Sequence, residues 1–105
     1  MNSTINMKRT SFHDNTVRAS FNEINAVIAN PPYYRSNNGQ EKSNFEWRGL
    51  TIDGDVYSIY DWKEYRQITE DEQIDWHIGG HSRIQTSTIA NKLELELNKL
   101  RLNRP

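Results

Sequence analysis

Two histidines, His77 and His81, stand four residues apart in "HIGGH", where imidazoles offer metal ligation or general-base chemistry. A Gly-Gly step lies between them, so the i, i+4 geometry of a helical metal motif does not apply. His13 and the carboxylates Asp71, Glu72 and Asp75 are the groups at hand to complete a set, yet no spacing fixes a third ligand. Polar surface is the favoured reading of the pair, and a metal-dependent hydrolase using His77 and His81 ranks third among the functions considered. A second chemistry is stacking. "VYSIYDWKEYR" alternates rings with charges, and Tyr57, Tyr60, Trp62 and Tyr65 beside Lys63 and Arg66 are what nucleobases or protein hot spots meet. Tyr60 and Trp62 are expected to point into the core; Tyr57 and Tyr65 are candidates for a surface.

Asn30-Pro31-Pro32-Tyr33 spells a tetrapeptide that resembles the catalytic loop of adenine amino-methyltransferases, in which Asn and a Pro carbonyl hold the amino group and the ring stacks on a flipped base. That machinery needs a nucleotide-binding βα scaffold with a Gly-rich loop, and the five glycines here are scattered apart from one pair. Proline after a helix accounts for the letters without catalysis. Tyr33 and Tyr34 stay open as ring donors to a surface.

The elements that must position these residues are legible in part. Met1–Thr16 shows neither hydrophobic period and reads as a flexible arm or a short edge strand, leaving 17–105 as a single α+β domain. Ser20 with Glu23 forms a capping box, and Phe21, Ile24, Val27 and Ile28 give a short helix that the prolines end. A hairpin over about 44–62 turns at Asp53-Gly54, read as a two-residue type I′ turn. That register pairs Thr51 with Val56, Gly49 with Ser58, Trp47 with Tyr60 and Phe45 with Trp62, on an aromatic face taken as the core. A strand over about 74–79 follows, with Ile74, Trp76 and Ile78 on one side. Ser82 with Gln85 then opens a C-terminal amphipathic helix whose stripe is Ile89, Leu93, Leu97 and Leu100, with Leu95 and Leu102 beside it. The fold class is α+β, a small antiparallel sheet with a helix on either side of it in sequence.

Composition sets the outer limits. An apolar fraction of 34% and a mean hydropathy of -0.93 are low, so three Trp, five Tyr and three Phe must bury much of the area, or a homodimer must supply some. The net charge of -1 argues against direct nucleic-acid binding. With no cysteine, disulfides and thiolate chemistry are excluded. No apolar run approaches the roughly 18 residues of a membrane span, and Met1–Thr10 lacks a signal-peptide core, so a soluble cytoplasmic protein without a membrane partner is expected.

The set "SFNEI", "EW", an Asp-Gly turn, "IYDWK" and "HIGG" resembles a loose family of small, mostly uncharacterised phage-encoded proteins, over about Ser20 to Gly80. Where that family carries G-x-P after the first helix, this chain reads Asn30-Pro31-Pro32. The resemblance implies an accessory protein that binds and inhibits a host protein, such as a nucleic-acid-binding defence effector, in the manner of an anti-CRISPR inhibitor. On that reading the protein is not an enzyme, has no catalytic residue and needs no cofactor. Its interaction surface is Tyr57, Tyr65, Glu70, Asp71, Glu72 and Trp76, the acidic run suiting a basic channel. The alternative is a small-ligand binder that sequesters a nucleotide signal, with Arg48, Lys63 and Arg66 on phosphates and Tyr33 and Tyr34 on bases.

Overall fold

The computed structural model describes residues 7–28, 31–40, 42–51 and 53–103. Its elements are β1 (Ser11–Ala19), α1 (Phe21–Val27), β2 (Tyr34–Arg35), β3 (Phe45–Leu50), β4 (Val56–Tyr60), β5 (Ile74–Gly80) and α2 (Arg83–Leu102). They form an α+β domain with one five-stranded sheet in the order β1-β5-β4-β3-β2, antiparallel at every pairing. The chain begins at one edge, crosses to the other through α1, and meanders back from β2 to β5 beside its starting strand.

Residues 11–16, expected as part of a flexible arm or a short edge strand, belong to β1, which does lie at an edge of the sheet. Only Val17 and Ala19 of that strand are buried, which leaves little apolar alternation to detect. The pairing shifts between Phe12 and Thr16, so His13, Asp14 and Asn15 stand opposite Ile78, and Asp14 takes a left-handed φ of 68°. The bulge turns Asn15 toward the helix, where its Nδ2 donates to Thr86 Oγ1 at 2.7 Å.

α1 opens on the capping box expected at Ser20 and Glu23, both halves of which are present. Its end comes at Val27, with Ile28 already extended (φ −95°, ψ 123°), before the prolines are reached. Asn30 lies outside the described residues. At the N-terminus of α2, Ser82 accepts from the Gln85 N–H at 3.1 Å, while the Gln85 side chain turns away to donate to Asp55. Ile89, Ala90, Leu93 and Leu97 of α2 close over Val17, Ala19, Ile74, Trp76 and Ile78, and Phe21 and Ile24 of α1 cover Phe45 and Trp47. Ile84, Leu95 and Leu102 lie on the outward side of α2, so Leu95 and Leu102 do not join its apolar stripe.

The hairpin differs by one residue from its expected register. Glu46 pairs with Tyr60, Trp47 with Ile59, Arg48 with Ser58, Gly49 with Tyr57 and Leu50 with Val56. Instead of a two-residue turn, the Thr51 N–H donates to Asp55 O at 2.9 Å and the Gly54 N–H to Thr51 O at 2.9 Å, with Gly54 left-handed at φ 86°. A left-handed glycine closing a three-residue connection is the common next-longer hairpin. A slip of one flips every partner side chain. Phe45 and Trp47 keep the core with Ile59, whereas Tyr60 and Trp62, expected inside, go to the opposite face.

Two asparagines hold the loops that frame this sheet. Asn37 accepts from the Ile68 N–H at 2.7 Å and donates to Ile68 O at 3.0 Å, seating Ile68 in the core. Asn44 and Asp61, both fully buried, join the start of β3 to the end of β4.

Candidate functional site

Both helices lie on one face of the sheet. The other face carries two side-chain rows that the register specifies. Thr16, His77, Tyr60 and Glu46 form one row across four strands, and Phe12, Gly79, Ser58 and Arg48 form the next. Within them the rings touch. Phe12 stacks on His77 with centroids 4.2 Å apart and planes 23° from parallel. Tyr60 lies 5.5 Å from His77 and meets Trp62 edge-on at 6.0 Å. Phe12 is 38% and Trp62 39% exposed, so this is a wet aromatic patch with no helix above it among the described residues.

A groove of about 250 Å³ runs beside the patch, lined among others by Ser11, Ser43, Arg48, Ser58, Tyr60 and Trp62. Gly79 lets Ser58 pack over it. A Cβ there would sit 2.4 Å from Ser58 Oγ and 3.4 Å from Tyr60 Cε1. Burial raises the Tyr60 hydroxyl above its ordinary value, with the Glu46 carboxylate adding to it. His77 is pushed below its ordinary value by burial, against the pull of Asp75, Asp61 and Glu64. The imidazole is therefore neutral at neutral pH and behaves as a ring in the stack.

Cations gather at one end. Lys42 Nζ lies 5.8 Å and Lys63 Nζ 5.5 Å from the centre of the Trp62 indole. The Lys63 N–H donates to Lys42 O at 2.6 Å, fixing the two backbones together. Lys63 and Tyr65 both take left-handed φ values, 55° and 50°, in the turn that presents Trp62. Arg48 donates from Nε to Glu46 at 2.7 Å and lays its guanidinium 3.7 Å from the Tyr33 ring centre.

The residues singled out from sequence divide sharply. Trp76, expected on the interaction surface, is fully buried, and its indole N–H donates to Ala19 O at 2.8 Å. Its strand alternates correctly, and the inward side is simply the core. Tyr57 is half-buried on the helix side, its ring lying over Gly49, where a Cβ would meet it at 2.5 Å. There it lines an apolar hollow of about 220 Å³ with Val27, Ile28, Leu50, Ile89 and Leu93. Tyr65 is 53% exposed.

Glu70, Asp71 and Glu72 are braces rather than a free acidic strip. They accept from Arg35, Asn22 and Arg66, the first two at 2.6 and 2.8 Å. Arg66 is thereby paired with Glu72 and Glu64. Arg48, Lys63 and Tyr33 do sit at the groove or its rim; the Tyr34 backbone pairs with Glu46, and its side chain lies outside the described part of the chain. His77 faces the patch, His81 is exposed beyond the end of β5, and His13 Nε2 lies 3.2 Å from Gly80 O. Among the described residues no three His, Asp or Glu side chains converge to hold a metal ion.

Phe12, Lys42, Ser58 and Gly79 were not singled out by sequence reasoning, and Tyr60 and Trp62 were placed inside. The usable signal was Gly54: reading it as the left-handed residue of a three-residue connection puts "YSIYDW" in the observed register. Compared with protein-family models, curated proteins and solved structures, the chain matches none. No helix among the described residues is long and apolar enough to cross a membrane.

Proposed function

We propose that this protein is a non-enzymatic binding module whose working surface is the helix-free sheet face, and that its partner is a protein whose activity it blocks. One observation carries the reading: Phe12, His77, Tyr60 and Trp62 form a contiguous, partly exposed ring cluster beside a groove. Aromatic rings held rigid on strands cost little side-chain entropy on binding, which is why hot spots are rich in them. The resemblance to small phage-encoded proteins supports a host protein as the target and inhibition, of the anti-CRISPR kind, as the outcome, acting in the host cytoplasm. Trp76 belongs to the core and the acidic run is engaged within the protein, so the surface rests on Trp62 and its neighbours.

Affinity capture from host lysate with the full chain and with a W62A/F12A variant tests this. Both residues are exposed and their loss leaves the core intact. The expected result is a stoichiometric protein held by the natural chain and lost with the variant. Capture that survives W62A/F12A moves the interface elsewhere, and no capture by well-folded protein overturns the reading.

A further inference from the structure

We infer that the partner segment docked on this face is acidic and bears a planar ring. The ring enters the groove beside Trp62, and carboxylates flanking it meet Lys42 and Lys63. The inference rests on the reading of the face as a docking surface and adds the chemistry of what docks.

Charge is the first argument. Arg18, Arg35, Arg48, Arg66, Lys99 and Arg101 each have a carboxylate within the protein. Lys42 and Lys63, like Arg9, Arg83 and Lys92, have none among the described residues; what sets the two lysines apart is that the fold brings both ammonium groups to a single indole. The backbone bond between Lys63 and Lys42 and the left-handed φ of Lys63 set the two backbones beside Trp62. Incoming carboxylates supply the counter-charges that neither lysine finds among the described residues, so this end of the face suits an acidic partner.

Shape is the second. Ser58, Tyr60 and Trp62 line the groove, with Ser58 Oγ packed over Gly79. A planar ring has partners there, because Trp62 and Tyr60, edge-on to each other, offer it a face and an edge.

Nucleic acid shares the taste for rings and lysines, and the face disfavours it. Glu46, paired with Arg48, ends the ring row beside Tyr60, and Asp75 and Glu64 lie close enough to act on His77. A phosphate backbone laid across the strands would run past these carboxylates, whereas a short acidic peptide need meet only the lysine end.

Trp62 makes the test direct, because Trp47 and Trp76 are fully buried and Trp62 is the exposed fluorophore. The probes are a glutamate–tyrosine random copolymer, a lysine–tyrosine copolymer and oligothymidylate, added to the full chain with tryptophan excited selectively. The glutamate–tyrosine copolymer is expected to change Trp62 emission saturably, and its affinity to fall at least about tenfold between low and physiological salt. K42E/K63E is expected to weaken it by about tenfold or more, with K42Q/K63Q between. Circular dichroism confirms that both variants fold.

Equal binding of the two copolymers, or undiminished binding by K42E/K63E, overturns the acidic preference while leaving the docking face standing. Tighter binding of oligothymidylate overturns it in favour of nucleic acid. No emission change with any probe also overturns the inference, and the lysate capture then decides the docking reading separately.

Discussion

The carboxylate of Glu23 receives Arg101 Nε at 2.9 Å and an Arg101 Nη at 3.2 Å, joining the first turn of α1 to the last turn of α2. The same carboxylate caps Ser20 N–H at 3.0 Å and accepts from Gln73 at 2.8 Å, and its side chain is only 2% exposed. The hydrogen bond from Arg101 holds the Glu23 carboxyl far below the usual carboxylate range, outweighing the opposing effect of burial. A depressed carboxylate contributes stability above its unfolded value, here 4.5, and loses it as pH falls toward the folded value. Urea titrations of E23Q at neutral pH are expected to show a loss of about 3 kcal/mol, since Arg101 is left facing a neutral amide. The acid limb of the stability profile below pH 4.5 is expected to be shallower in E23Q than in the natural chain.

At the other end of the sheet, Asp61 serves three donors. Its Oδ1 accepts from the Asn44 and Phe45 N–H groups, both at 2.8 Å, and its Oδ2 from Asn44 Nδ2 at 3.1 Å. Asn44 in turn accepts from Gly39 N–H and donates to Arg66 O. D61A would strand all three donors in a dry interior, at a cost of about 3 kcal/mol or more. Thermal unfolding is expected to fall well below that of the natural chain, and D61N, which retains one acceptor oxygen, is expected to fall between the two. Equal stability of D61A and the natural chain would remove the claim that this knot sets the hairpin ends.

How far the sequence discloses this architecture follows from which signals are local. The Ser20–Glu23 box spans one turn and is readable in the letters, whereas Arg101, 78 residues away, gives no sign of being its partner. β5 was legible because Ile74, Trp76 and Ile78 alternate cleanly; β1 was not, because its bulge breaks the period and only Val17 and Ala19 face inward. Asp53-Gly54 announced a hairpin correctly, but one residue in the turn length decided which rings are core. That single step hid the site by placing Tyr60 and Trp62 inside; Trp76 is turned inward by the alternation of its own strand, which the turn length does not touch. Lys42 reaches Trp62 only through a loop closure that no period encodes.

His77 ties the chemistry of the face to pH. Burial against Phe12 and Tyr60 disfavours imidazolium by more than Asp75, Asp61 and Glu64 favour it, so the folded value lies below the ordinary 6.5. The unfolded chain then takes up its proton first, and this residue's contribution to stability falls as pH drops through 6.5 toward the folded value, with no further loss below it. Proton NMR of the His77 ring is expected to give a midpoint below 6.5. H77F, which keeps a ring on Phe12, is expected to flatten stability across that window. A midpoint at or above the ordinary value would show that the ring is not desolvated as placed.

The turn after β4 exchanges stability for the placement of its side chains. Lys63 at φ 55° and Tyr65 at φ 50° occupy a region that favours glycine, and a side chain there costs about 1–2 kcal/mol of backbone strain. Glycine relieves the strain but adds unfolded-state entropy of about 0.5–1 kcal/mol, so K63G is expected to be stabilised by up to about 1 kcal/mol. It also removes one of the two ammonium groups at Trp62. If the turn exists to present Lys63, K63G unfolds at higher urea while its affinity for an acidic partner drops. A K63G protein less stable than the natural chain would mean that the left-handed turn depends on the lysine side chain itself. Denaturant titration of K63G beside K63Q separates the two, because K63Q removes the charge and keeps the strained backbone.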